Sequence, residues 1–134
     1  MPAMRRLSYA MRLAGCLTPL SAGVLRRVET ELPDGARLES ELLFADENTF
    51  REQGTLSFGP GSEFEFKTLG TGHLTPSVDP DVRVGTVTWE LDVGRGRFER
   101  ATGRITSNFT VDAGGEIEDS HVGLVFLCDG EESA

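Results

Sequence analysis

Cysteine is scarce in this chain. Cys16 and Cys128 are the only two, and neither stands in a CxxC pair or in a Cys/His cluster at metal-ligand spacing. So few cysteines do not frame a disulfide-stapled secreted scaffold. Two reduced thiols are the expectation, with a bridge from the N-terminal segment to the last strand as the alternative. Long apolar runs are missing too: nothing approaches the ~18 residues that a membrane-spanning helix needs. Leu13-Ala14-Gly15-Cys16 has the form of a lipoprotein cleavage box behind Arg5 and Arg6. The apolar stretch between them, Leu7 to Met11, ends at Arg12 and is shorter than a signal-peptide core. A cytoplasmic protein that does not bind membranes is therefore expected.

Basic residues are outnumbered, 13 Lys and Arg against 22 Asp and Glu, for a net charge of -9. Arg5, Arg6, Arg12, Arg26 and Arg27 fall in the first 27 residues, where there is no acid, so the rest is strongly acidic. Such a body repels phosphate, and no nucleic-acid partner is expected. Cofactor motifs are also lacking. Gly94-Arg95-Gly96-Arg97-Phe98-Glu99 has no third glycine and no strand-turn-helix setting for a dinucleotide, and Walker and GxSxG patterns are absent. No cofactor is expected.

What remains is a globular composition, 38% hydrophobic and 26% charged over 134 residues, enough for one core and too apolar for general disorder. Leu7, Ala10, Met11, Ala14 and Leu17 recur at helical spacing, so residues 1–19 read as a basic arm or short amphipathic helix ending at Thr18-Pro19. Beyond Pro19 the pattern is all strand, giving a barrel domain over residues 20–130 and a disordered tail over 131–134. Val24 to Leu32 and Arg37 to Phe44 flank the turn Pro33-Asp34-Gly35. Thr49 to Phe58 and Glu63 to Leu69 flank Gly59-Pro60-Gly61, and Phe64, Phe66 and Thr68 alternate with Glu63, Glu65 and Lys67. Residues 70–81 read as a long loop, a place where function concentrates. Val82 to Val93, Ile105 to Val111 and Ile117 to Cys128 complete seven strands, with an eighth if Gly96 to Arg100 pairs. The fold class is thus all-β, a small closed antiparallel barrel of about eight strands. The last strand is apolar on both faces: Val122, Leu124 and Phe126 on one, and Val125 and Leu127 with His121 and Gly123 on the other. That implies a second covering layer, and a homo-oligomer, dimer or trimer, is expected.

Residues 94–111, GRGRFERATGRITSNFTV, resemble the glycine-rich hairpin of the allene oxide cyclase and dirigent barrel superfamily, which has small bacterial members. Gly94, Gly96, Phe98, Ala101 and Gly103 carry the match, and Arg100 departs from it where relatives often have glycine. The resemblance implies an eight-stranded barrel with an apolar cavity, commonly oligomeric, in which some members steer cyclisation or coupling of a reactive substrate.

The only imidazoles, His73 and His121, are candidate acid-base groups, together with Glu90 if it points inward. Phe64, Phe66, Trp89, Asn108 and Phe109 are candidate substrate-binding residues, and Asn108-Phe109-Thr110 is an accidental glycosylation triplet in a cytosolic setting. A metal site built from the two histidines with Asp119 or Glu90 lacks ligand spacing, so none is expected. The functional expectation is a cofactor-free isomerase or cyclase that holds a small hydrophobic substrate of polyketide, terpenoid or fatty-acid type. Confinement and orientation would supply most of its catalysis. A non-catalytic binder of small hydrophobic ligands and a structural barrel with a filled interior are the alternatives, since eight phenylalanines can line a cavity or fill it.

Overall fold

The computed structural model describes residues 4–31 and 35–128. Nine strands follow one another: β1 (Met4–Ser21), β2 (Val24–Glu31), β3 (Arg37–Phe44), β4 (Thr49–Ser57), β5 (Glu63–Thr68), β6 (Gly72–Pro76), β7 (Val82–Arg95), β8 (Thr102–Asp112) and β9 (Glu116–Cys128). Every ladder between them is antiparallel, and among the described residues consecutive strands pair except β5 and β6, β5 pairing instead with β4 and β7. β1 pairs with β9 from Met4↔Cys128 to Cys16↔Glu116, which closes the ring. β6 pairs with β4 at Phe50↔Gly72 and with β7 from His73↔Thr86 to Pro76↔Arg83. It continues the wall position that β5 begins, so the nine strands make an eight-position up-and-down barrel with one extra strand.

The N-terminal segment corrects the helix expectation. β1 is an 18-residue strand, and its inward positions, Leu7, Tyr9, Met11, Leu13 and Leu17, recur every two or four residues. Helical spacing among small and apolar residues is a weak local signal, and two flanking ladders override it. β1 is therefore part of the barrel and supplies its eighth wall position. Residues 96–100 do not: Gly96–Phe98 form a single 3-10 turn, and Gly96 takes a left-handed φ of 65° that suits a residue without Cβ. The stretch 70–81 is shorter as a loop than expected, because β6 occupies its middle. The turn at Pro33-Asp34 and the tail at 131–134 lie outside the described residues.

Alternation sets the two faces elsewhere. In β5, Phe64, Phe66 and Thr68 are buried, while outward Glu63 and Glu65 each meet Arg95 at 2.8 Å. Aromatic clusters pack both ends of the barrel. Phe58, Phe64 and Phe98 meet at one end with ring centroids 5.0–5.9 Å apart, and Phe44 and Phe50 meet at the other at 5.3 Å. Cys16 and Cys128 are free thiols at opposite ends of the β1–β9 ladder. Among the described residues no helix is long and apolar enough to cross a membrane.

Candidate functional site

Between its two aromatic ends the barrel has a polar waist. β2 turns Arg27 and Glu29 inward, β3 Ser40, β4 Glu52, β8 Ser107, and β9 Asp119 and His121, all of them buried. Arg27 is fully enclosed and lies at the centre. Its Nε donates to Glu29 Oε2 at 2.6 Å, its Nη1 to Glu52 at 3.0 and 3.1 Å, and its Nη2 to Ser107 Oγ at 2.6 Å and to Asp119 Oδ2. The guanidinium also lies 4.4 Å from the centre of the Phe109 ring and 5.4 Å from that of Trp89, within cation–π range. Glu52 further accepts from Ser40 Oγ at 2.5 Å and Trp89 Nε1 at 2.9 Å. Asp119 Oδ1 accepts from Ser107 at 2.7 Å.

A second line of contacts leaves Asp119 toward β1. His121 Nε2 lies 2.7 Å from Asp119 Oδ2, and His121 Nδ1 lies 3.0 Å from the Tyr9 hydroxyl. With a neutral imidazole this order has one consistent assignment, in which Nε2–H donates to the carboxylate and the phenol donates to Nδ1. Trp89 packs edge-on to His121 at 5.0 Å and stacks on Phe66 at 4.1 Å. Glu29 stands beside this chain, and among the described residues its buried Oε1 meets no hydrogen-bond donor. The backbone approaches closely here, since a Cβ on Gly15, the β1 residue opposite Glu29, would collide with the carbonyl of Val28.

Burial governs the charges. It pushes the Glu29 carboxyl up to about 8; Arg27 opposes the rise, and neighbouring Asp119 reinforces it. Burial also favours a proton on Asp119, but Arg27 and the bond from His121 outweigh it and hold that carboxyl below the usual carboxylate range. Tyr9 is raised above the ordinary phenol value, first by burial and then by the charges of Asp119 and Glu31. For Arg27 burial works against the charge, yet Glu52, Glu29 and Asp119 keep the guanidinium protonated. At neutral pH Glu29 thus bears a proton, Asp119 is anionic and the Tyr9 phenol keeps its proton.

The expected site residues divide by face. His121, Phe64, Phe66, Trp89 and Phe109 are inside. Strand alternation turns the others out. His73 on β6 is exposed, Asn108 on β8 is exposed between buried Ser107 and Phe109, and Glu90 faces outward within 3.9 Å of Arg104. Those three do not join the waist. Tyr9, Arg27, Glu29 and Glu52 were not anticipated, and Asp119 only as a metal ligand. One signal marks several of them: Glu52 is in phase with Phe50 and Leu56, and Asp119 with Ile117 and Val125. A charged residue on the apolar beat of a strand is the informative anomaly.

Glu29, Asp119 and His121 place one ligand atom each within 4.8 Å of one another. The donors suit a metal poorly: Nε2 and Asp119 Oδ2 are already bonded to each other, and the guanidinium lies against both carboxylates, where it would repel a second cation. Two clefts of about 900 and 500 Å³ open on the outer wall. One lies over β2–β5 between Arg37, Glu39, Glu65 and Lys67, and the other over β8 and β9 between Glu90, Arg104 and Phe126. No family model, curated protein or solved structure matches the chain.

Proposed function

We propose that the barrel is a cofactor-free isomerase or cyclase for a small hydrophobic substrate, with proton transfer performed at the waist. The observation that carries this reading is the Tyr9–His121–Asp119 chain beside a protonated Glu29 whose Oε1 meets no hydrogen-bond donor among the described residues. The Tyr9 oxygen takes a proton from a carbon acid while its own proton passes to His121 Nδ1, and Asp119 stabilises the imidazolium. Glu29 protonates the substrate carbonyl oxygen; Tyr9 then delivers the substrate-derived proton to the γ-carbon as His121 Nδ1 returns its own to the Tyr9 oxygen, and the enol proton goes back to Glu29, which restores every group. Each part is familiar general acid-base chemistry, with two carboxyls set apart by their surroundings. Phe66, Trp89 and Phe109 offer apolar walls, in keeping with the resemblance to the allene oxide cyclase superfamily. Access favours the β1 side, where Tyr9 is 7% exposed and half-buried Leu7 and Met11 flank it.

A β,γ-unsaturated ketone tests this, because its conversion to the conjugated enone raises near-ultraviolet absorbance. Tyr9→Phe and His121→Asn are each expected to lower the rate by about 10²-fold or more. A wild-type protein that neither isomerises such ketones nor gains thermal stability from them would overturn the reading. A filled structural barrel is the second reading, favoured by one observation: the Arg27 guanidinium bridges β2, β4, β8 and β9 across the interior.

A further inference from the structure

β9 has two apolar faces, and only one of them is used inside the barrel. Its outward residues Val122, Leu124 and Phe126 are 60%, 45% and 37% exposed, and Met4, next to Cys128 on β1, is 49% exposed. The cleft of about 500 Å³ over the β8–β9 boundary has Leu124 and Phe126 on one side and Thr102, Gly103 and Arg104 on the other. Consecutive outward apolar residues on a strand otherwise flanked by charge mark an interaction surface.

Charge says what would cover it. On the β1 side the outward residues include Arg6, level with Phe126, and Arg12, level with Ser120. On the far side, β7 presents Glu90, level with Arg104, and then Asp92. The patch is therefore basic along β1, apolar along β9 and acidic along β7, with Arg104 of β8 lying between and 3.9 Å from Glu90. A two-fold axis lying along the β8–β9 boundary exchanges β8 with β9 and β1 with β7. It sets the basic flank of one copy against the acidic flank of the other and brings each Phe126 to the other's cleft. We propose that the outer face of β9 docks a second copy of this chain, as an isologous dimer about that axis.

Sedimentation equilibrium on the full-length protein tests the proposal. A wild-type dimer is expected, and Leu124→Glu should yield monomers with an unchanged circular dichroism spectrum and a melting temperature that no longer depends on protein concentration, because the side chain is exposed in the monomer and only the association is lost. Arg6→Asp should weaken dimerisation by about ten-fold or more, and adding Asp92→Arg to it should recover most of the loss. A wild-type monomer at all concentrations, or a dimer that Leu124→Glu leaves intact, would overturn the proposal. So would a double variant no tighter than Arg6→Asp alone.

Discussion

Arg27 is bonded to its own strand and to three others, so one guanidinium reports on the closure of the whole ring. Removing one partner from a buried ion cluster leaves the rest uncompensated and costs about 3–5 kcal/mol. Arg27→Met strands Glu52 and Asp119, and urea denaturation should show a loss of that size. Glu29 predicts a pH dependence. Its carboxyl stays protonated in the folded protein until about pH 8 but ionises near pH 4.5 once unfolded. Between those values the unfolded state releases a proton that the folded state retains, so stability falls as pH rises through the window. Glu29→Gln removes this loss. Its melting temperature should match the wild type near pH 4.5 and exceed it increasingly up to pH 8, by up to a few kcal/mol in stability. Asp119 acts in the opposite sense, its contribution being present above the ordinary carboxylate range and lost as pH falls below it.

At the scale of elements, the hairpin that follows β7 stores strain. Arg100 has a φ of 62°, the left-handed region that costs a side-chain-bearing residue about 1 kcal/mol. Arg100→Gly should therefore raise the melting temperature by a few degrees, measured by calorimetry. The backbone at Arg100 takes the form that glycine prefers. Strands with clean alternation and marked turns were legible in the sequence: β3 runs over the expected Arg37–Phe44, and β2, β4, β5, β7 and β9 fall within a few residues of expectation. β1 was not, because Ala10, Ala14 and Gly15 blur its period of two, and its partner β9 lies at the other end of the chain. The waist was half legible. His121 could be singled out as a rare imidazole, whereas Arg27 and Glu29 sit in VLRRVETE, where neither face is apolar enough to show which points inward.

For the whole molecule, closure makes a single unit. Trp89, the only tryptophan, is fully buried among Phe66, His121 and Glu52 and so senses the interior. Its fluorescence and the far-ultraviolet signal of the strands should lose their native values at the same denaturant concentration. Two separate transitions would show that the waist and the wall come apart independently.

The seam between β1 and β9 also has a meaning in time. Met4 pairs with Cys128, so the ring cannot shut while the ribosome is still making the last strand. At about 5–20 residues per second, the first strand waits on the order of ten seconds for its partner. During that interval the nascent sheet has two open edges, each able to recruit a stray strand. Synthesis of this barrel is thus most exposed to misassembly just before it ends, and a slow stretch of translation upstream of β9 would lengthen that exposure.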